Sequence, residues 1–142
     1  MARPRRYKDE VLSVTIPSVQ CSLDLVEAVD KFRLDHGIGI PSQGSKISRA
    51  EAIRQSIEYI IGFSGTEVEA DGSVVVASLE DLEFVGSFED RQEGINAVLG
   101  SFQLTGDQHG ALQAWSKILK ISRSELIRRC MTFFLTEQEV AI

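Results

Sequence analysis

ISRAEAIR at residues 47–54 and ISRSELIR at residues 121–128 are the two octets that decide the predicted fold. They are identical at six of eight positions, with a constant offset of 74 residues. For a chain this short, two such octets would occur by chance on the order of 1% of the time. The octets therefore indicate an internal repeat, in which two copies of one unit share the chain.

Each octet has the features of a helix start. Ser48 and Ser122 stand at N-cap positions, and Glu51 and Glu125 follow three residues later, as in a capping box. The apolar residues downstream recur at the i, i+4, i+7 and i+8 spacing of an amphipathic helix. They are Ile53, Ile57, Ile60 and Ile61 in the first copy, and Ile127, Met131, Phe134 and Leu135 in the second.

The residues upstream of each octet predict a strand followed by a helix. Val11–Ile16 alternates with period 2 and ends at Pro17, which is typical of a half-buried strand. Ser101–Thr105 alternates in the same way. The helices that follow have apolar positions at Leu25, Val26, Val29 and Phe32 in the first copy, and at Leu112, Trp115, Ile118 and Leu119 in the second. Each copy thus predicts a strand, a helix and a capped helix.

This order resembles the ribbon-helix-helix repressors, the group that includes the methionine repressor and Arc. The resemblance lies in LSVTIP, LDLVEAVDKF and ISRAEAIRQSIEYII of the first copy, and in SFQLT, ALQAWSKIL and ISRSELIRRCMTFFL of the second. It implies a mainly α fold with a short antiparallel β-ribbon, in which the two repeats form an intrachain pseudo-dimer. It also implies sequence-specific binding of double-stranded DNA, for transcriptional repression or for plasmid or phage control. Further self-association of the chain on DNA is an open alternative at this point.

The outward side chains of the two predicted strands are the candidate base readers. A two-stranded ribbon fits the major groove of B-DNA, where a glutamine can pair with adenine through two hydrogen bonds and serine or threonine discriminates less. Gln103 is the only amide at these outward positions. The candidates are Ser13, Thr15, Ser101, Gln103 and Thr105.

Phosphate contacts are expected from the helix starts and from the basic N-terminal arm. The N-terminus of a helix offers free N–H donors and the positive end of its dipole to an anion. Basic side chains next to the first strand add charge along the DNA backbone. The candidates are Arg3, Arg5, Arg6, Lys8, Ser48, Arg49, Ser122 and Arg123.

Acidic residues are concentrated in the middle of the chain. Residues 63–100 carry nine acidic side chains and one basic one, whereas residues 1–62 and 101–142 each have a net charge of +1. The predicted organisation is a basic arm at 1–10, repeat 1 at 11–62, an acidic connecting insert at 63–100 and repeat 2 at 101–142. Within the insert we expect a type I′ hairpin at Asp71-Gly72, a helix capped by Ser78, and a further helix across Phe88–Leu99.

The insert also defines the alternative function. It could bridge the two copies, repel DNA to set an orientation, or bind a basic protein partner. In the last case the protein would be an interaction module, antitoxin-like or an assembly adaptor, rather than a DNA reader. A salt-sensitive shift of duplex DNA would distinguish the two functions.

The remaining features argue against other classes of protein. With 43% hydrophobic and 25% charged residues, the sequence is typical of a soluble globular domain, and no secretory or membrane-spanning segment is expected. The predicted location is the cytoplasm, where Cys21 and Cys130 serve as structural thiols. No catalytic motif is present, so we expect a non-enzymatic protein without a cofactor.

Metal binding is not expected either. His36 and His109 have no second ligand at metal-binding spacing. The acidic residues at 67, 69 and 71 imitate the start of a calcium loop, but Ser78 stands where the bidentate glutamate is needed.

Overall fold

The computed structural model describes residues 11–35, 47–91 and 95–142. Within these ranges the chain forms five helices and three two-stranded antiparallel sheets, which confirms a mainly helical fold with short β-structure. The elements are β1 (Leu12–Ile16), β2 (Val19–Ser22), α1 (Leu23–Asp35), α2 (Arg49–Ser64), β3 (Thr66–Val68), β4 (Val74–Val76), α3 (Leu79–Gly86), β5 (Ile95–Leu99), β6 (Phe102–Thr105), α4 (Gly106–Leu119) and α5 (Arg123–Glu137). No helix in the described ranges is long and apolar enough to span a membrane.

Four of the strands form one long ribbon. β1 pairs with β6 and β2 pairs with β5, both antiparallel, so the predicted pairing of Leu12–Ile16 with Phe102–Thr105 within one chain is confirmed. The register is continuous from one pair of strands to the next. The central partners are Thr15 with Gln103, Ile16 with Phe102, Val19 with Leu99, and Gln20 with Val98.

A two-residue break interrupts the ribbon at its centre on both strands. Ile16 and Val19 are both buried, although residues three apart on a regular strand would face opposite sides. The break at Pro17-Ser18 shifts the alternation of inward and outward side chains by one residue. The apolar side chains of both β1 and β2 therefore face the helices. Gly100-Ser101 has the same effect between Leu99 and Phe102.

The strand Ile95–Leu99 corrects the predicted helix across Phe88–Leu99. A short apolar run does not by itself distinguish a buried strand from a helix. Here β-branched residues and the pairing with β2 favour the strand. The strand β2 was not predicted; it, rather than β1, leads directly into the first helix.

The serine N-caps of α2 and α5 are present as predicted, but the carboxylates of Glu51 and Glu125 accept hydrogen bonds from side chains further along their own helices. The hydroxyl of Ser48 accepts a hydrogen bond from the N–H of Glu51 at 3.0 Å, and that of Ser122 from the N–H of Glu125 at 3.2 Å. Helices α1, α2, α4 and α5 pack with the inner face of the ribbon in one core, centred on buried side chains from both copies. These include Ile53, Leu104, Trp115 and Ile127.

The hairpin of β3 and β4 differs from prediction in its turn. A type I′ turn requires a positive φ at both central residues. Gly72 has a φ of 89°, but the φ of Asp71 is not positive. The N–H of Gly72 donates to the carbonyl of Glu69, and the N–H of Glu69 to the carbonyl of Ser73. These bonds define a three-residue loop closed by a glycine bulge. Ser78 caps α3, as predicted.

The cross-strand pair of Thr15 and Gln103 provides a test of the ribbon. The carbonyl of Gln103 accepts a hydrogen bond from Arg54, so it points away from β1 and the pair is a non-hydrogen-bonded one. The Cα atoms of such pairs are about 4.5 Å apart, which is compatible with a disulfide. We expect Thr15→Cys combined with Gln103→Cys to form a disulfide within one chain, detected by mass and by mobility on a non-reducing gel. Thr15→Cys with Gln113→Cys is the control, and a disulfide-linked dimer from the first pair would contradict the fold.

Candidate nucleic-acid interface

The outer face of the ribbon carries a row of exposed uncharged side chains. The Thr15–Gln103 pair lies in one half and the Gln20–Val98 pair in the other, and all four residues are exposed. Between them, the break exposes Ser18 and Ser101. Ser13 is exposed near the start of β1, at the register shift where Leu12 is exposed as well. The ribbon thus brings three of the five predicted base readers onto one surface, Thr15, Ser101 and Gln103, and Ser13 lies at one end of the ribbon.

Thr105, the fifth predicted reader, does not belong to this surface. It is 1% exposed and is the N-cap of α4. Its hydroxyl accepts a hydrogen bond from the N–H of Gln108 at 3.1 Å, and its own N–H donates to the side chain of Gln108 at 3.0 Å. The prediction was wrong because the last residue of the strand turns inward to start the helix.

Gln20 is an outward amide that the sequence analysis missed. The segments VQCS at 19–22 and FQLT at 102–105 have the same order of buried and exposed residues, and each leads directly into a helix. They are offset by 83 residues, whereas the octets are offset by 74. The first helix and the connection after it are together nine residues longer in the first copy. A search allowing that insertion would have aligned Gln20 with Gln103.

The last arginine of each octet holds the backbone of one of these glutamines. Arg54 donates from Nη1 to the carbonyl of Gln103, and Arg128 donates from Nη1 to the carbonyl of Gln20, both at 3.0 Å. Each arginine therefore crosses from its own copy to the ribbon strand of the other. The edges of a two-stranded ribbon have carbonyls without strand partners, and these contacts satisfy one on each side.

The surroundings of the two arginines differ. Arg128 is buried, and its guanidinium binds both carboxylate oxygens of Asp90, which belongs to the acidic insert. Arg54 pairs with Glu51 of its own helix at 3.1 Å. Next to Arg128, Arg129 donates to the carbonyls of Gly86 and Phe88. Residues 86–90 are thereby fixed to α5 behind the Gln20 half of the ribbon.

The helix starts predicted to hold phosphates lie beside the ribbon. Arg54 is in the second turn of α2 and Arg128 in the second turn of α5, and both donate hydrogen bonds to carbonyls of the ribbon strands. Ser48 and Ser122 use their hydroxyls as caps. Arg49 binds Asp30 through two hydrogen bonds of 2.8 and 2.7 Å, which engage its guanidinium. Arg123 is exposed and forms no ion pair with another described residue. The arm candidates Arg3, Arg5, Arg6 and Lys8 lie outside the described residues, as does His36.

The two thiols lie in the packed interior, and His109 is half-buried on α4, away from the strands of the ribbon. Cys21 and Cys130 are buried and not in a disulfide, and burial raises the pKa of both thiols. Partial burial, and after it the charge of Arg123, lowers the pKa of His109. A lowered pKa favours the neutral imidazole at neutral pH.

Comparisons with known proteins give no assignment for this arrangement. No family model matches the chain, and no curated protein or solved structure matches it at a significant level.

Arg128 is predicted to contribute more to stability than its counterpart Arg54, because the two arginines have different partners. Arg128 binds both carboxylate oxygens of Asp90 in the insert, so Arg128→Met leaves that carboxylate without its main partner and should cost about 3 kcal/mol. Arg54→Met is the matched control, with an expected loss of about 1–2 kcal/mol, because Glu51 keeps its hydrogen bond from Gln55. The free energy of unfolding in urea measures both, and Asp90→Asn should recover part of the loss in the Arg128→Met background. Equal losses for the two single variants would contradict the difference in partners.

The Asp30 pair predicts an acid-dependent contribution to stability. The hydrogen bond from Arg49, and then that from Arg33, lower the pKa of Asp30 from 3.8 to about 2. Because the charged form is favoured by folding, its contribution is complete above pH 4 and is lost as the pH falls toward 2. We expect Asp30→Asn to reduce the free energy of unfolding by about 1–2 kcal/mol at pH 6. The difference from the parent protein should shrink between pH 4 and pH 2.5, and a constant difference would contradict this account.

Proposed function

We propose that this protein binds double-stranded DNA in a sequence-specific manner through the outer face of its β-ribbon. In this proposal the chain is a tandem ribbon-helix-helix protein whose two repeats form an intrachain pseudo-dimer. Its role is transcriptional repression, or control of a plasmid or phage, by occupation of a DNA site. The main observation behind this proposal is a reciprocal pair of hydrogen bonds: Arg54 binds the carbonyl of Gln103, and Arg128 binds the carbonyl of Gln20.

The ribbon register supports the pseudo-dimer. An approximate two-fold rotation would exchange β1 with β5 and β2 with β6. It would turn the pair Ile16–Phe102 into the pair Leu99–Val19, and that pair is also present. The irregularities follow the same rule, since the shift between Leu12 and Val14 corresponds to the one between Cys21 and Ser22. An approximate two-fold axis through the central break accounts for both matches.

The chemistry of the outer face supports DNA as the ligand. The major groove admits a two-stranded ribbon, and glutamine offers a donor and an acceptor that match adenine. The row formed by Thr15, Gln20, Val98 and Gln103 contains no carboxylate that would repel phosphates. Arg123, exposed at the start of α5, supplies a positive charge next to a helix N-terminus, where phosphate binding is favoured.

The acidic insert has contacts that favour a structural role over the alternative of an interaction module. Asp90 neutralises the buried Arg128, and the carbonyls of Gly86 and Phe88 accept hydrogen bonds from Arg129. Its last strand, β5, is part of the ribbon itself. These contacts explain this part of the insert without a basic protein partner.

A selected duplex provides the test. We expect selection from a random duplex pool to enrich a preferred site, and Gln103→Ala to weaken binding to that site by about 1–3 kcal/mol. Affinity for a random duplex should change little, because it depends on phosphate contacts. The measurement is fluorescence anisotropy at fixed salt, with Gln113→Ala, an exposed glutamine on α4, as the control. Equal losses on both duplexes would exclude Gln103 as a base reader. Failure to enrich any duplex, with capture of a basic protein, would favour the interaction module.

A further inference from the structure

We infer that the DNA site of this protein is asymmetric, with two unlike halves, one read by Thr15 with Gln103 and the other by Gln20 with Val98. The inference rests on the proposed function and concerns which duplex the ribbon prefers. A dimer of identical chains presents the same side chains twice and prefers a palindrome. This single chain presents two different sets on one continuous ribbon.

The two halves share one side chain and differ in the other. Under the two-fold relation of the register, Gln20 corresponds to Gln103, and Thr15 corresponds to Val98. In both halves the glutamine lies directly across the ribbon from the differing residue. All four side chains are exposed, with Val98 at 45% of its full accessibility.

The differing residues favour different bases. Each glutamine is suited to adenine, so both halves should contain an A·T pair at the glutamine position. Val98 offers only apolar contact, which favours the C5 methyl group of thymine. Thr15 adds a hydroxyl that donates or accepts, and therefore discriminates less. The Gln20 half is thus expected to be the more strongly conserved half of the selected site.

The arginines that bind the carbonyls of the two glutamines also have different surroundings, which adds to the asymmetry. The carbonyl of Gln20 is held by Arg128, which Asp90 fixes in a buried position, whereas Gln103 is held by the more accessible Arg54. Near the end of β2, Arg91 pairs with the exposed carboxylates of Asp24 and Glu89. Asp107 occupies the position of Asp24 in the first turn of α4, so in the described part of the chain the difference between the halves is the ion pair of Arg91 with Glu89.

The ribbon geometry sets the spacing of the two halves. The pair Thr15–Gln103 and the pair Gln20–Val98 are five residues apart along the strand. At a rise of roughly 3.3 Å per residue this is about 16 Å along the groove, which covers at most about five base pairs of B-DNA. Both A·T positions should therefore lie within one turn of the duplex, on the same groove.

Two single substitutions make the halves alike and so test the inference. Val98→Thr gives both halves a glutamine with a threonine, and Thr15→Val gives both a glutamine with a valine. Both changes exchange β-branched residues of similar size at exposed strand positions, and unchanged thermal unfolding would show that the ribbon is intact. The experiment is selection from a random duplex pool with the full chain of the parent protein and of each variant.

We expect the parent protein to select a site that differs between the positions read by the two pairs. Each variant should select a site that is palindromic at those positions, with a different sequence for each variant. The parent protein should bind its own site about tenfold more tightly than the palindrome selected by Val98→Thr. A palindromic site for the parent protein, or one common site for all three proteins, would overturn the inference but leave DNA binding in place. Failure of all three proteins to enrich any duplex would overturn the proposed function as well.

Discussion

The antiparallel ladder between residues 12–22 and 95–105 is the constraint on which the rest of the structure depends. It joins a segment at the start of the described chain to one that follows the insert, and its apolar face is buried by helices from both copies. A two-stranded ribbon also leaves carbonyls along its edges that need partners. Arg54 and Arg128 each donate a hydrogen bond to one of these carbonyls, which explains why both octets end in arginine.

The sequence predicted those features that depend on local patterns. The N-caps at Ser48 and Ser122, the helix after Ser78 and the pairing of Leu12–Ile16 with Phe102–Thr105 are present as expected. Short elements that depend on a distant partner were missed. β2 was missed because Pro17 was interpreted as the end of the strand, and β5 because its short apolar run also fits a helix; each is defined by its pairing with the other.

The candidate site shows the same limit. Thr15 and Gln103 were found because alternation predicts which strand residues face outward. Gln20 was missed because the break at Pro17-Ser18 shifts the pleat, so alternation counted from β1 gives the wrong face beyond it. Thr105 was misplaced because a hydroxyl at the end of a strand suits both base contact and an N-cap. Here the cap prevails, as it does for Ser22, whose hydroxyl accepts from the N–H of Leu25 at 3.4 Å.

The central claim is that the outer face of the ribbon is the surface that meets DNA. Its most direct test is to follow the backbone amide resonances of the isotope-labelled chain while the selected duplex is added. The account predicts the largest shifts at Thr15, Gln20, Val98 and Gln103, and little change in the hairpin of β3 and β4. Shifts confined to that hairpin and α3, with the ribbon resonances unchanged, would contradict it.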